Sequence, residues 1–142
     1  MSRIFPFSEG TSIAFKSMVI LSSSYRPLSI AVISKAINSS PHHVAKVLQK
    51  LAFGGFVQSK AGPKGGFSIN KSIHRITLFD IYQCIEGTEK LENLINLKRQ
   101  TNDPGPVEKL TIDISSHFIT FLKNHSVAMY AKKQVLADHF TN

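Results

Sequence analysis

The side chains that could do chemistry gather in two short runs. The first, Ser40-Pro-His-His-Val-Ala-Lys-Val-Leu-Gln-Lys, sets imidazoles, amines and an amide at helical spacing. The second, Ala61-Gly-Pro-Lys-Gly-Gly66, sets one amine among glycines. A helix turns about 100° per residue, so Val44, Val47, Leu48 and Leu51 share one face and His42, His43, Lys46, Gln49 and Lys50 the other. The polar face carries no carboxylate of its own. Lysine suits guanine edges or phosphates, glutamine suits adenine and imidazole suits either, so the face matches the major groove of duplex DNA. Ser40 reads as the N-cap and Pro41 as the first helical residue, where its missing N–H costs nothing. The free backbone donors at that end could hold a phosphate. In the second run Lys64, with Lys60 just before it, sits beside Gly65 and Gly66, which allow close approach to another backbone.

The charge distribution points the same way. The 142-residue chain has a net charge of +8. Its first 79 residues hold ten lysines and arginines against one acid, Glu9, whereas residues 80–142 hold seven basic and eight acidic side chains. A polyanion would therefore meet the N-terminal half, and a phosphate backbone is the usual partner of such a concentration.

Other chemistries find little footing. The six histidines form no ligand motif, because His42 and His43 project about 100° apart and the rest lack a partner one turn away. No metal site is expected. The wing-like glycine run lacks the order and following helix of a nucleotide-binding loop. No nucleophile–base pair or carboxylate pair stands out, and Glu9 alone offers a carboxylate in the first half, so an enzyme is not expected. Cys84, the one cysteine, excludes an intramolecular disulfide and a multi-cysteine metal site. A redox switch through its thiol would want a cationic neighbour, and none is adjacent in sequence. No apolar run approaches the ~18–20 residues of a membrane span, and the N-terminus lacks a secretory apolar core, so a cytoplasmic protein is expected.

The elements that must position these residues can be read along the chain. Residues 12–22 form a first helix and Ser29 caps a second, with Ile30, Ile33 and Ile37 on one face. The helix of residues 41–53 follows, stopped by Gly54-Gly55. Residues 56–60 and 67–70 form a hairpin. Thr77 opens a helix to about Glu86, with Leu78, Ile81, Tyr82 and Ile85 inward. Residues 87–106, with Asn102-Asp-Pro-Gly-Pro106, read as a loop or hinge. A long helix over residues 107–124 carries Leu110, Ile114, Phe118, Phe121 and Leu122 along one stripe, and Ser126 onward continues it or frays. The fold class is mainly α with a small β-hairpin. It comprises a winged helix-turn-helix domain over 1–88, a hinge over 89–106, and a long helix with a tail over 107–142.

Leu28-Ser-Ile-Ala-Val-Ile-Ser, Ser40-Pro-His-His-Val-Ala-Lys-Val-Leu-Gln-Lys-Leu, Gly55-Phe-Val-Gln-Ser, Gly62-Pro-Lys-Gly-Gly-Phe and Ile76-Thr-Leu-Phe-Asp-Ile-Tyr together resemble the Rrf-two family of bacterial transcription regulators. The resemblance implies a repressor that binds a palindromic operator as a homodimer, paired through the long helix and its apolar stripe. It places Ser40, His42, His43 and Lys46 at the start of the recognition helix, and Gly62, Lys64, Gly65 and Gly66 in the wing. Two departures follow. Ala61 stands where many members carry a wing arginine, with Lys60 one position earlier. No cysteine lies between Gly87 and Val107, where many members carry three, so no iron–sulfur cluster is expected. A small-molecule effector would fit between the winged domain and the long helix. The basic face leaves two other partners open, an acidic protein surface bound by a winged-helix adaptor and a structured RNA.

Overall fold

Hydroxyl caps set the starts of most helices. The computed structural model describes residues 7–131 apart from 71, 88, 90, 91, 94, 95 and 97–104. Helix α1 spans Glu9–Ser22, and Ser8 Oγ accepts from Thr11 N at 3.2 Å. It therefore starts three residues before the expected Ser12, because the cap lies ahead of the first apolar residue of the stripe. Helix α2, Ile30–Ile37, is capped by Ser29, and ends at Asn38 in the left-handed conformation with φ 54°. Helix α3, Pro41–Phe53, is capped by Ser40, with Pro41 in its first turn as expected.

Strands β1, Val57–Lys60, and β2, Gly66–Ile69, pair antiparallel from Val57 opposite Ile69 to Lys60 opposite Gly66. The hairpin is fixed at both sides of its base. Asn70 donates its backbone N–H to Phe56 O at 3.0 Å and its side-chain amide to Gly55 O at 3.2 Å. On the other side Leu28 N donates to Phe67 O at 2.9 Å and Phe67 N donates to Leu28 O at 2.8 Å. These bonds tie the hairpin to the turn after α3 and to the segment leading into α2.

Helix α4, Leu78–Glu86, opens with a capping box in which Asp80 N donates to Thr77 Oγ1 and Thr77 N to Asp80 Oδ2. Such a reciprocal cap stabilises a helix start by about 1 kcal/mol. Helix α5, Pro106–Asn124, ends at His125, whose extended backbone breaks the helix. Ser126 then bridges Thr77, Val127 N donates to Ile76 O at 2.9 Å, and a short helical run follows over 127–131. The tail thus turns back onto the start of α4. Most of the expected hinge lies outside the described residues, but Glu89, Glu92, Asn93 and Asn96 are helical. The apolar residues of that stretch, Leu91, Leu94 and Ile95, recur at helical spacing in the sequence, a signal that the nearby Asn-Asp-Pro-Gly-Pro run masked.

One core unites these pieces. Ala14 and Met18 of α1, Ile33 of α2, Val44, Leu48 and Leu51 of α3, and Ile81 of α4 are all fully buried. Leu122 and Val127 belong to the same cluster, at 1% exposure each. The core therefore runs across the expected boundary after residue 88. Leu122 corrects the reading of the long-helix stripe: it is an internal core residue and unavailable to a partner subunit. Phe118 leans the same way, its ring in edge contact with Tyr82 at 5.3 Å. Both follow from the last turns of α5 lying against α4, which the helical period alone could not distinguish from an intersubunit seam.

Candidate nucleic-acid interface

The burial of α3 splits as its sequence period requires. Val44, Leu48 and Leu51 are completely buried and Val47 nearly so, whereas His42, His43, Lys46, Gln49 and Lys50 are all exposed. Ser40 is also exposed and uses its hydroxyl to accept from His43 N at 3.2 Å. Its role at the helix start is thus a cap, which leaves the remaining first-turn N–H groups directed outward. Lys60 and Lys64 are exposed on the hairpin, and Gly65 N donates to Gly62 O at 2.9 Å to close its turn.

Glycine is structurally required beside those lysines. Gly66 has φ 141°, a conformation L side chains rarely adopt, and a Cβ there would run into the Leu28 carbonyl. A Cβ on Gly65 would likewise run into the Lys60 carbonyl. The wing glycines therefore fit the hairpin against its own scaffold. Gly62, at the tip with φ 100° and open space around it, is the one placed for close approach to an outside backbone.

Two features of the face were not legible in the sequence. Glu9, at the start of α1, brings its carboxylate to 3.7 Å from His43 Nδ1, so an acid does stand beside the recognition face. The pairing is between residues 34 apart, and no local spacing signals it. Phe53, at the C-terminal end of α3, is 98% exposed and lies beside a groove that Lys46, Gln49 and Lys50 share with Asp80, Gln83 and Cys84 of α4.

Cys84 faces that groove half-buried, with its Sγ donating to Lys50 O at 3.3 Å. Burial pushes the thiol pKa up, and the nearby Lys50 ammonium only partly counters it. The cation absent from the local sequence is thus supplied by the fold, yet desolvation outweighs it.

An apolar hollow of about 720 Å³ lies between α1, α2 and the end of α5, lined by Phe7, Phe15, Phe121 and Tyr130 among others. Along the rest of α5, Val107, Leu110, Ile114 and Phe121 are exposed apolar residues. No helix among the described residues is long and apolar enough to cross a membrane. Among the described residues no three His, Cys, Asp or Glu side chains gather as a metal site.

A helix-turn-helix of α2 and α3, packed on α1 and followed by an anchored hairpin, defines a winged helix-turn-helix protein. Residues 7–133 match the Rrf2 family, described as "Iron-dependent Transcriptional regulator". The chain belongs to that family of transcription regulators, which are not enzymes. It is 26% identical over 113 residues to YffB of Lactococcus lactis, named as an HTH-type transcriptional regulator, covering 75% of this chain and 72% of that one. It is 37% identical over 73 residues to YwgB of Bacillus subtilis, of the same description, covering 49% of this chain and 47% of that one. Among solved structures it matches CymR, the global cysteine regulator of B. subtilis, with TM-score 0.73 at 23% identity, covering 94% and 98% of the two chains. It also matches IscR of T. potens with TM-score 0.75 at 17% identity, covering 92% and 88%. These structural likenesses establish the fold.

The family description names iron, and the donor set here does not fit a cysteine-ligated cluster. Such clusters are held chiefly by several thiolates, and this chain has the single Cys84, whose Sγ bonds a backbone carbonyl of α3.

Proposed function

We propose that the protein is a cytoplasmic, sequence-specific repressor that binds a palindromic duplex DNA operator as a homodimer and works without an iron–sulfur cluster. One observation carries the reading: His42, His43, Lys46, Gln49 and Lys50 are exposed together on the helix that follows the turn, while its other face is locked in the core. In this reading the first turns of α3 enter the major groove, and Lys60 and Lys64 of the wing meet the adjacent backbone or minor groove. The exposed apolar row Val107, Leu110 and Ile114 supports pairing of two copies through α5, which would set two α3 helices against two half-sites. Phe121, at the edge of the hollow, extends that row.

The test is equilibrium binding to labelled duplex at several salt concentrations, with wild type and Lys46→Ala. Each phosphate neutralised contributes a log–log salt slope of roughly −0.9. The reading expects a steep slope and weaker binding by the variant. Equal affinity of the two proteins would remove α3 from the interface. Capture of an acidic protein that competing duplex fails to displace would favour the adaptor reading.

A further inference from the structure

We infer that Glu9 is a positioning residue that sets the sequence specificity of this DNA interface. The inference rests on the DNA-binding reading above and adds to it a residue outside the recognition helix and the wing.

Glu9 is the single acid among the first 79 residues, and the fold places it against the polyanion-binding face rather than away from it. Its position is held on three sides. Ser8 caps the first turn of α1, Thr11 Oγ1 donates to Glu86 Oε1 of α4 at 2.6 Å, and Gly10 lies beside Ile85 of α4, within ordinary contact distance of a Cβ placed there. An acid in a first helical turn favours the helix dipole wherever its side chain points. Here the side chain also reaches the neighbouring helix, with Oε1 at 3.7 Å from His43 Nδ1. That separation is an electrostatic contact, too long for a direct hydrogen bond.

Two consequences follow from this placement. The carboxylate faces the Nδ1 edge of His43, so its charge favours the ring orientation that keeps Nδ1 toward α1 and leaves Nε2 for the base edges. The same negative charge opposes any phosphate that approaches the start of α3, where Lys46 attracts it. Contact through the backbone alone is penalised, whereas contact that engages His43 retains its oriented ring. Glu9 therefore widens the gap between specific and non-specific binding.

The experiment compares wild type, Glu9→Gln, His43→Ala and the double variant on two duplexes of equal length, one selected by the wild-type protein from genomic fragments and one of random sequence. A unit charge about 8 Å from a phosphate in water corresponds to about a two- to threefold change in affinity. Glu9→Gln is expected to raise random-duplex affinity about that much at low salt, to leave selected-duplex affinity unimproved, and so to lower their ratio. In the His43→Ala background the substitution should no longer weaken selected-duplex binding relative to random duplex beyond the charge effect itself. An unchanged ratio in Glu9→Gln, or an effect on selected duplex that persists in full without His43, overturns the inference while the DNA-binding reading stands. A wild-type protein that retains neither duplex defeats both. Melting temperatures of the four proteins separate these outcomes from the loss of a helix-end charge, which would shift stability and leave the ratio alone.

Discussion

Replacing Gly66 by alanine should cost about twice as much as the same change at Gly62, although both glycines lie in the wing with positive φ. At Gly66 the backbone has φ 141°, and the new Cβ would collide with the Leu28 carbonyl. An L residue held in such a region is strained by about 1–3 kcal/mol. Relieving the collision moves Leu28 away from Phe67, whose reciprocal bonds at 2.9 and 2.8 Å are together worth about 2 kcal/mol. Partial relaxation leaves an expected loss of about 2–4 kcal/mol, which for a chain of this size lowers Tm by roughly 5–15 °C. At Gly62 nothing lies within 4 Å of the added Cβ, so strain alone acts there. That is worth about 1–2 kcal/mol. Thermal unfolding followed by circular dichroism measures both. Hydrogen exchange at the Leu28 and Phe67 amides reports whether the anchor is the part that opens. Equal melting temperatures for the two variants, or full protection of those amides in Gly66→Ala, would refute the reasoning.

Three further outcomes follow from the same packing. Leu122→Ala should destabilise the fold by about 2–5 kcal/mol, measured by denaturant unfolding, without dissociating the proposed dimer below its transition, because the side chain is 1% exposed within the single chain. Ile114→Glu, at a position 51% exposed, should instead yield a monomer by light scattering with helical content retained. The Cys84 thiol, its pKa raised by burial, should alkylate more slowly than free cysteine at pH 7–8 and ionise only above the ordinary cysteine range. Since the unfolded chain loses that proton first, this group's contribution to stability is full below the ordinary cysteine pKa and falls as pH rises through the folded one.

The recognition helix and wing were legible because their cues are local. Ser40, Pro41 and the alternation of Val/Leu with His/Lys/Gln fix a capped amphipathic helix within fourteen residues, and the structure buries the expected face. The apolar period places the start of α1 three residues late, because Ser8 caps a turn whose first residues, Glu9 and Gly10, lie outside that period. The stripe of α5 was visible, but its division was not. Leu110 and Ile114 face outward, whereas Leu122 enters the core, and the difference depends on where α5 meets α4. The Glu9–His43 contact and the Cys84–Lys50 bond lie in the same class: each joins residues more than thirty positions apart through packing of the helices between them.

The most direct test of the account is selection of fragmented genomic DNA by the purified wild-type protein at near-physiological salt, with Lys46→Ala in parallel, followed by sequencing. The account predicts enrichment of a few sites with two-fold symmetric halves by the wild type, and loss of that enrichment in the variant. Uniform, salt-sensitive retention of all fragments by both proteins would contradict it, leaving a basic surface without a sequence-reading helix.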